Sequence, residues 1–460
     1  MMENHASPLL NLPMEILHKI CVHVVHQVES DLDIAAEVAR CGVARDGVVP
    51  WQYSFPLVIH LYDFSLTSRV IRAIVEPLMY EKLLLNFSHR GHVHDGLKYL
   101  CDHPDVARRV KGVIATASTA VGLFGGGGAQ FILDEARKKG FSLPDDKSLY
   151  TAEDYPAPFP RNVHQIAIDL ALSYTPNVQS FVIWDYHIGF RLGDWLPPTL
   201  TFDSLHYLEL RTDQSNGSMN MTHSLAVLSL LRHTPFIDTL RIQGYSSIDT
   251  EPRMWEFLPH LTVLDFDLGE YLGPRDPRFI GMHCKKLESF RYVSSQADLQ
   301  LRMWPTRRRP RRGPTTPQDI LEGLLPLKDT LRSLVLDLTD LTCVSGMADC
   351  LHLLSHFTGL QELQLYLDNM PTDDENLFIK HLPHNLERLG LVGLDSHSRA
   401  YYAARKLGEW VKAGGFQKLR EIWWLSDQEN LLSPKETIDA AFLNTNVACR
   451  ASYAGLSRWH

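Results

Sequence analysis

The residues able to do chemistry are thinly scattered along this 460-residue chain, and few fall at spacings that a known reaction uses. His89, His92, His94 and His103 lie close to Cys101 and have the side-chain types that hold zinc. Zinc ligands recur at short, regular spacings, and this group matches none of them, so solvent-facing histidines are expected and no metal. Gly125 to Gly128 could cradle a phosphate through backbone N–H groups, but a phosphate loop closes on Gly-Lys-Ser/Thr. Here the run ends in Gly-Ala-Gln, which offers no lysine, and is read as a flexible loop. Asp185 and His187 read as strand-face residues rather than an acid–base dyad. There is no Gly-x-Ser-x-Gly elbow, no HExxH and no dinucleotide fingerprint. The expectation is a protein that is not an enzyme and carries no cofactor.

What remains is a binding surface, and the elements that would present it repeat. An apolar residue, two variable ones, a second apolar, one variable and a third apolar recur at Val178-Phe181-Ile183, Leu205-Leu208-Leu210, Ile237-Leu240-Ile242 and Leu261-Leu264-Phe266. The series continues at Leu287-Phe290-Tyr292, Leu331-Leu334-Leu336, Leu360-Leu363-Leu365, Leu386-Leu389-Leu391 and Leu419-Ile422-Trp424. Most spacings lie near the roughly 20–29 residues of a leucine-rich repeat. Helical stretches fall between copies, at Thr222 to Arg232, Gly346 to His356 and Arg399 to Ala413. Each strand-plus-helix unit leaves an apolar face that only stacking can bury. The predicted fold is therefore α/β, a leucine-rich-repeat solenoid with a curved parallel sheet and outer helices. Strand side chains alternate, so the residues between the apolar positions should line the concave face. Trp184, Tyr207, Arg211, Arg241, Asp265, Arg291, Tyr366, Arg388 and Trp423 are the candidate partner-binding residues there, with Glu209, Gln243, Asp267, Asp337 and Gln364 beside them. Aromatic and arginine side chains dominate interface energetics.

Before the repeats, Leu12 to Ile20 reads as the start of an amphipathic helix. Pro13 suits its first turn, Glu15 favours the positive end of the dipole, and Ile16, Leu17, Ile20 and Val24 recur at helical spacing. A second run, residues 61 to 80, carries Ser65, Leu66, Ser68, Arg69, Pro77, Leu78 and Tyr80, with Leu66, Val70, Ile71, Ile74, Val75 and Leu78 on one helical face. These two runs resemble the F-box of fungal F-box proteins with irregular leucine-rich repeats, although here the segment from His26 to Pro56 separates them. The resemblance implies an adaptor that holds a Skp-type linker, and through it a cullin ligase core, while the repeats present an unknown substrate protein. It also implies linker-binding roles for Leu12, Pro13, Ile16, Leu17, Ile20 and Leu66. The alternative is a leucine-rich-repeat interaction scaffold with no ligase role.

Composition narrows the setting. With 45% apolar and 22% charged residues the chain can bury a large core. A net charge of −9 argues against nucleic acid or an acidic membrane as principal partner. Seven scattered cysteines without a CxxC pair, and no signal peptide or membrane span, predict a cytoplasmic or nuclear protein with reduced thiols. Arg307, Arg308, Arg309, Arg311 and Arg312 stand among prolines. They read as a disordered loop, with a nuclear-import signal or nucleic-acid patch as the other reading. Structure should resume at Thr316-Pro-Gln-Asp, a helix cap, and Ser433-Pro-Lys-Glu should start a final closing helix. The expected domains are thus a helical F-box-like module over 1–90, with an insertion at about 26–56, and repeats over 91–460, with a basic insert at about 303–316.

Overall fold

The structure, a computed structural model, describes residues 12–31, 61–62, 64–87, 92–116, 126–143, 162–184, 192–211, 223–244, 252–268, 275–294, 315–337, 350–366, 375–392, 399–426 and 439–453. It divides into two compact units, Met1–Asp213 with Ala226–Phe236, and Gln214–Leu225 with Ile237–His460. Both are α/β, and every strand pairing described within them is parallel.

In the first unit, helices Met14–Asp31 and Arg69–Met79 lead into strands β1 (Lys82–Asn86), β2 (Gly112–Thr116), β3 (Ser180–Trp184) and β4 (Tyr207–Arg211), paired in chain order. Helices His92–Asp102, Gly126–Lys138 and Asn162–Tyr174 lie between the first three strands. In the second unit, β5 (Thr239–Gly244), β6 (Val263–Leu268), β7 (Ser289–Ser294), β8 (Ser333–Asp337), β9 (Glu362–Tyr366), β10 (Arg388–Val392), β11 (Glu421–Ser426) and β12 (Ala448–Tyr453) pair in the same sequential way. Their connections include α-helices and short 3₁₀ helices, such as Pro252–Phe257 and Leu351–His356.

The repeated triplet builds this arrangement. In register, Leu83, Val113, Phe181 and Leu208 form one row, and Leu240, Leu264, Phe290, Leu334, Leu363, Leu389 and Ile422 form another. All are buried, as are the first apolar residues of the nine copies, Val178 through Leu419. A fully buried leucine stabilises by roughly 1.5–3 kcal/mol, so rows of this length supply most of the cohesion between neighbouring repeats.

Backbone hydrogen bonds fix the stacking. At most strands the preceding residue offers one carbonyl to two successive N–H groups of the next repeat. Glu288 accepts from Arg332 and Ser333 at 2.7 and 2.9 Å, Arg332 from Gln361 and Glu362 at 2.8 and 2.9 Å, and Gln361 from Glu387 and Arg388 at 2.8 and 3.0 Å. Glu81, Lys111 and Gln179 do the same in the first unit.

Several expectations need correction. Gly126 to Gly128 are not a loop: they form the first turn of helix Gly126–Lys138, with Gly128 beside His94. The parallel sheet also begins before residue 90, at β1. Leu84 interrupts the alternation there because both faces of β1 are buried, and the run Leu83-Leu84-Leu85 hides the repeat. The helical stretch expected at Gly346 to His356 is described only from Cys350 onward, where it is helical and ends as a 3₁₀ segment, Leu351–His356. Residues 439–442 are helical, where the final helix is expected, but strand β12 follows as the last described element, and Ser433 to Glu436 lie outside the described residues. The basic run at 307–312 lies outside them too. The cap at Thr316 is present as expected: its hydroxyl accepts from Asp319 N at 3.0 Å and Asp319 accepts from Thr316 N at 3.0 Å, with Pro317 in the first turn. Among the described residues no helix is long and apolar enough to cross a membrane.

Three measurements check this account. Leu334→Ala and Leu363→Ala should each lower stability by about 2–5 kcal/mol in urea denaturation; losses near zero would place these side chains outside the core. Gly281→Ala should also destabilise, because a Cβ there would lie 2.0 Å from the carbonyl oxygen of Gly323 on the neighbouring helix. Finally, burial pushes the His164 imidazole down from its ordinary 6.5 to about 4. The unfolded chain binds a proton below 6.5 while the folded one does not until about 4, so this contribution is present above pH 6.5 and lost as pH falls through that window. His164→Leu should flatten the stability loss between pH 6.5 and 4, and an unchanged slope would contradict the assignment.

Candidate protein-binding surfaces

Helices Met14–Asp31 and Arg69–Met79 pack on each other. The first contributes Leu17 and Cys21 to the buried interior, the second Ile71, Ile74, Val75 and Met79. Motif residues of the second run have local structural roles. Ser65 is buried and its hydroxyl donates to the Tyr62 carbonyl at 2.6 Å. Ser68 caps the helix by accepting from Val70 N at 3.2 Å, and Tyr80 stacks on Tyr99 at 6.5 Å.

The predicted linker-binding residues divide between the faces. Leu12, Pro13, Ile16 and Leu66 are exposed, Ile20 is half-buried, and Leu17 turns inward at 2% exposure. Leu17 is therefore a packing residue rather than part of an exposed edge, because it lies one residue round the helix from Ile16. Met14, Tyr62 and Val70 join the exposed set, although sequence periodicity had placed Val70 on the buried stripe. Six of the ten large apolar side chains exposed among the described residues lie between 12 and 70. Such a concentration of exposed apolar groups is what an interface leaves on an isolated chain.

The second set of candidates lies on the outward sides of the strands in each unit, opposite the apolar rows. On β3 and β4 the predicted residues come together. Tyr207, Glu209 and Arg211 alternate along β4 and so share one face. The Glu209 carboxylate, only 2% exposed, accepts from both the Tyr207 hydroxyl and Arg211 Nε. The Arg211 guanidinium lies over the Trp184 ring, 5.1 Å from its centroid.

In the second unit, the register sets Arg241, Asp265 and Arg291 side by side. Asp265 accepts from Arg291 Nη1 at 2.7 Å, with Arg241 Nε at 3.7 Å on its other oxygen. Farther along, the Trp423 indole lies across Gly390, whose would-be Cβ falls 2.7 Å from Trp423 Nε1 and 3.0 Å from Gln364 Cγ. Glycine is required there by the indole. Trp423 is 7% exposed, so it faces outward in register yet serves as floor rather than as a projecting group. Arg388 pairs with Glu362 at 2.9 Å, and Arg450, which the repeat pattern missed, pairs with Glu421 at 2.7 Å. Tyr366 occupies the position in β9 that is in register with Val392.

The groups that could have done chemistry are dispersed. His94 Nδ1 meets Asp95 at 2.9 Å and the ring sits edge-on to Phe131. His103 stacks on Tyr99 and bonds its carbonyl at 3.0 Å. Cys101 lies 4.0 Å from Glu135, which also accepts from Tyr174 at 2.8 Å, and burial pushes the Cys101 thiol up, away from thiolate reactivity. His89, Asp185 and His187 lie outside the described residues. Among the described residues no three His, Cys, Asp or Glu side chains converge as metal ligands would. Asp169, fully buried and pushed well above the usual carboxylate range by desolvation, accepts from Gly193 N at 3.0 Å and holds the turn after β3.

The two kinds of ion pair on the outward face should behave differently. Asp265→Ala strands two arginines beside a half-buried site and should cost about 1–3 kcal/mol. Glu421→Ala removes a pair whose arginine is 74% exposed and should cost less than about 1 kcal/mol. Equal costs, measured by thermal melting, would show that Asp265 is as well solvated as Glu421. No known protein-family model matches the chain, and no curated protein is similar to it at a significant level.

Proposed function

We propose that this chain is a substrate-recognition adaptor of a Skp–cullin–F-box ubiquitin ligase. In this reading it is an F-box-like helical module joined to leucine-rich repeats. The helices hold a Skp-type linker, and the outward strand face holds a target protein. The adaptor performs no bond chemistry. It raises the effective concentration of the target beside the ubiquitin-charged enzyme.

The observation that carries the reading is the exposed apolar set Leu12, Met14, Ile16, Tyr62, Leu66 and Val70, on or just before two helices that pack through Leu17, Ile71, Ile74 and Val75. The resemblance of these two runs to an F-box supplies the identity of the occupant. Outward arginine and aromatic side chains supply the second surface, of the composition that interfaces favour.

Co-expression with a Skp-type linker tests it. The full-length chain should retain the linker on pull-down, and Ile16→Asp with Leu66→Asp should lose it while circular dichroism and melting temperature stay unchanged. Leu17→Ala should instead lower the melting temperature. Failure of the unsubstituted chain to retain the linker would overturn the reading and leave an interaction scaffold with no ligase role.

A further inference from the structure

The cluster on β3 and β4 carries an inference that rests on the recognition reading above and makes it chemically specific. We propose that Arg211 is the receptor for a single carboxylate on the partner protein, supplied by an aspartate or glutamate side chain or by a chain's C-terminus.

Arg211 is held in one orientation from two sides. Its Nε is committed to Glu209, which is itself anchored by the Tyr207 hydroxyl. Its plane is supported by Trp184, with 5.1 Å from Cζ to the ring centroid. Among the described residues its two terminal nitrogens donate to no acceptor, and the side chain is 40% exposed. A planar guanidinium with paired free donors matches a carboxylate through two parallel hydrogen bonds. Fixing the fork in advance removes the cost of ordering a long side chain on binding.

The buried Glu209 decides which anion fits. Its charge balances that of Arg211, so the site attracts through directional donors rather than through net positive charge. A phosphate monoester, at about −1.5 to −2, would meet the Glu209 carboxylate at short range in a poorly solvated place. A singly charged carboxylate incurs far less of that repulsion. Val182, in register with Glu209, and Ile114, in register with Val182, are the apolar neighbours on this face. The residue next to the bound carboxylate is accordingly apolar.

Fluorescence anisotropy on the full-length protein tests this with three labelled nonapeptide pools and a neutral, amidated reference pool. One pool carries an internal Asp or Glu beside Val or Leu with an amidated end. The second has no acidic side chain but a free C-terminal carboxylate. The third carries phosphoserine with an amidated end. At least one carboxylate pool should bind tenfold or more tighter than the reference and than the phosphoserine pool, and the pool that does so identifies the source. Arg211→Lys, which keeps the charge and loses the fork, should weaken that binding at least tenfold, whereas Trp184→Phe should retain most of it.

On the unsubstituted protein, N-acetylvaline should displace bound peptide and N-acetylvalinamide should not, which gives a readout independent of any variant's folding. Carboxylate pools no better than the reference, a phosphoserine pool that binds tightest, or an Arg211→Lys protein that binds as the parent does would each overturn the proposal. Linker retention is a separate readout. Its failure, rather than that of the peptides, would overturn the adaptor reading.

Discussion

One carbonyl serving two N–H groups is the constraint on which the rest of the structure depends. Asp238, Thr262, Glu288, Arg332, Gln361 and Glu387 each accept from two consecutive residues of the following repeat. A strand held at two points cannot slide by one residue, and a one-residue slip would exchange its faces. The rows of Leu, Ile and Phe are therefore continuous because the backbone leaves them no other alignment. Insertions between repeats are tolerated for the same reason: only the residues at the strand entry must meet.

The same constraint determines the surface chemistry. Once the apolar rows are aligned, the outward residues are aligned too, and neighbours in register become cross-strand pairs. Arg241, Asp265 and Arg291 share a carboxylate because they occupy equivalent positions in three successive repeats. Glycine at 390 exists for its neighbour, since the Trp423 ring needs the space that any side chain would fill. Several outward groups are thus paired with one another, and what they leave for a partner is the remainder, such as the terminal nitrogens of Arg211.

Much of this was legible from one pattern. The triplet located all nine strands from β3 to β11, because buried leucines at fixed offsets are demanded by stacking and not by local propensity. It failed where the physics changed. β1 reads as Leu83-Leu84-Leu85 because both of its faces are covered, and β12 uses Cys449, where other repeats have a larger apolar group. Glycine disfavours a helix, so the glycine run reads as a loop, yet Gly126 to Gly128 form the first turn of one. Among the site residues, the helical period identified Leu17 and Ile16 together but could not say which of them faces inward. Trp184, Tyr207 and Arg211 were named as separate outward residues. Tyr207 and Arg211 meet at Glu209 and Trp184 lies under Arg211 because of the strand register, which a single sequence read repeat by repeat does not display.

The proposed function draws on two sets of residues: exposed apolar groups on and near the N-terminal helices, and polar and aromatic groups on the outward sides of the strands. The adaptor account requires that the linker occupy the first and leave the second open. Hydrogen–deuterium exchange on the purified chain, with and without a Skp-type linker, tests that most directly. The account predicts slowed exchange confined to helices Met14–Asp31 and Arg69–Met79 and the turn before the second, with the strands from β3 onward unchanged. Slowed exchange along the strands, or none anywhere, would contradict it.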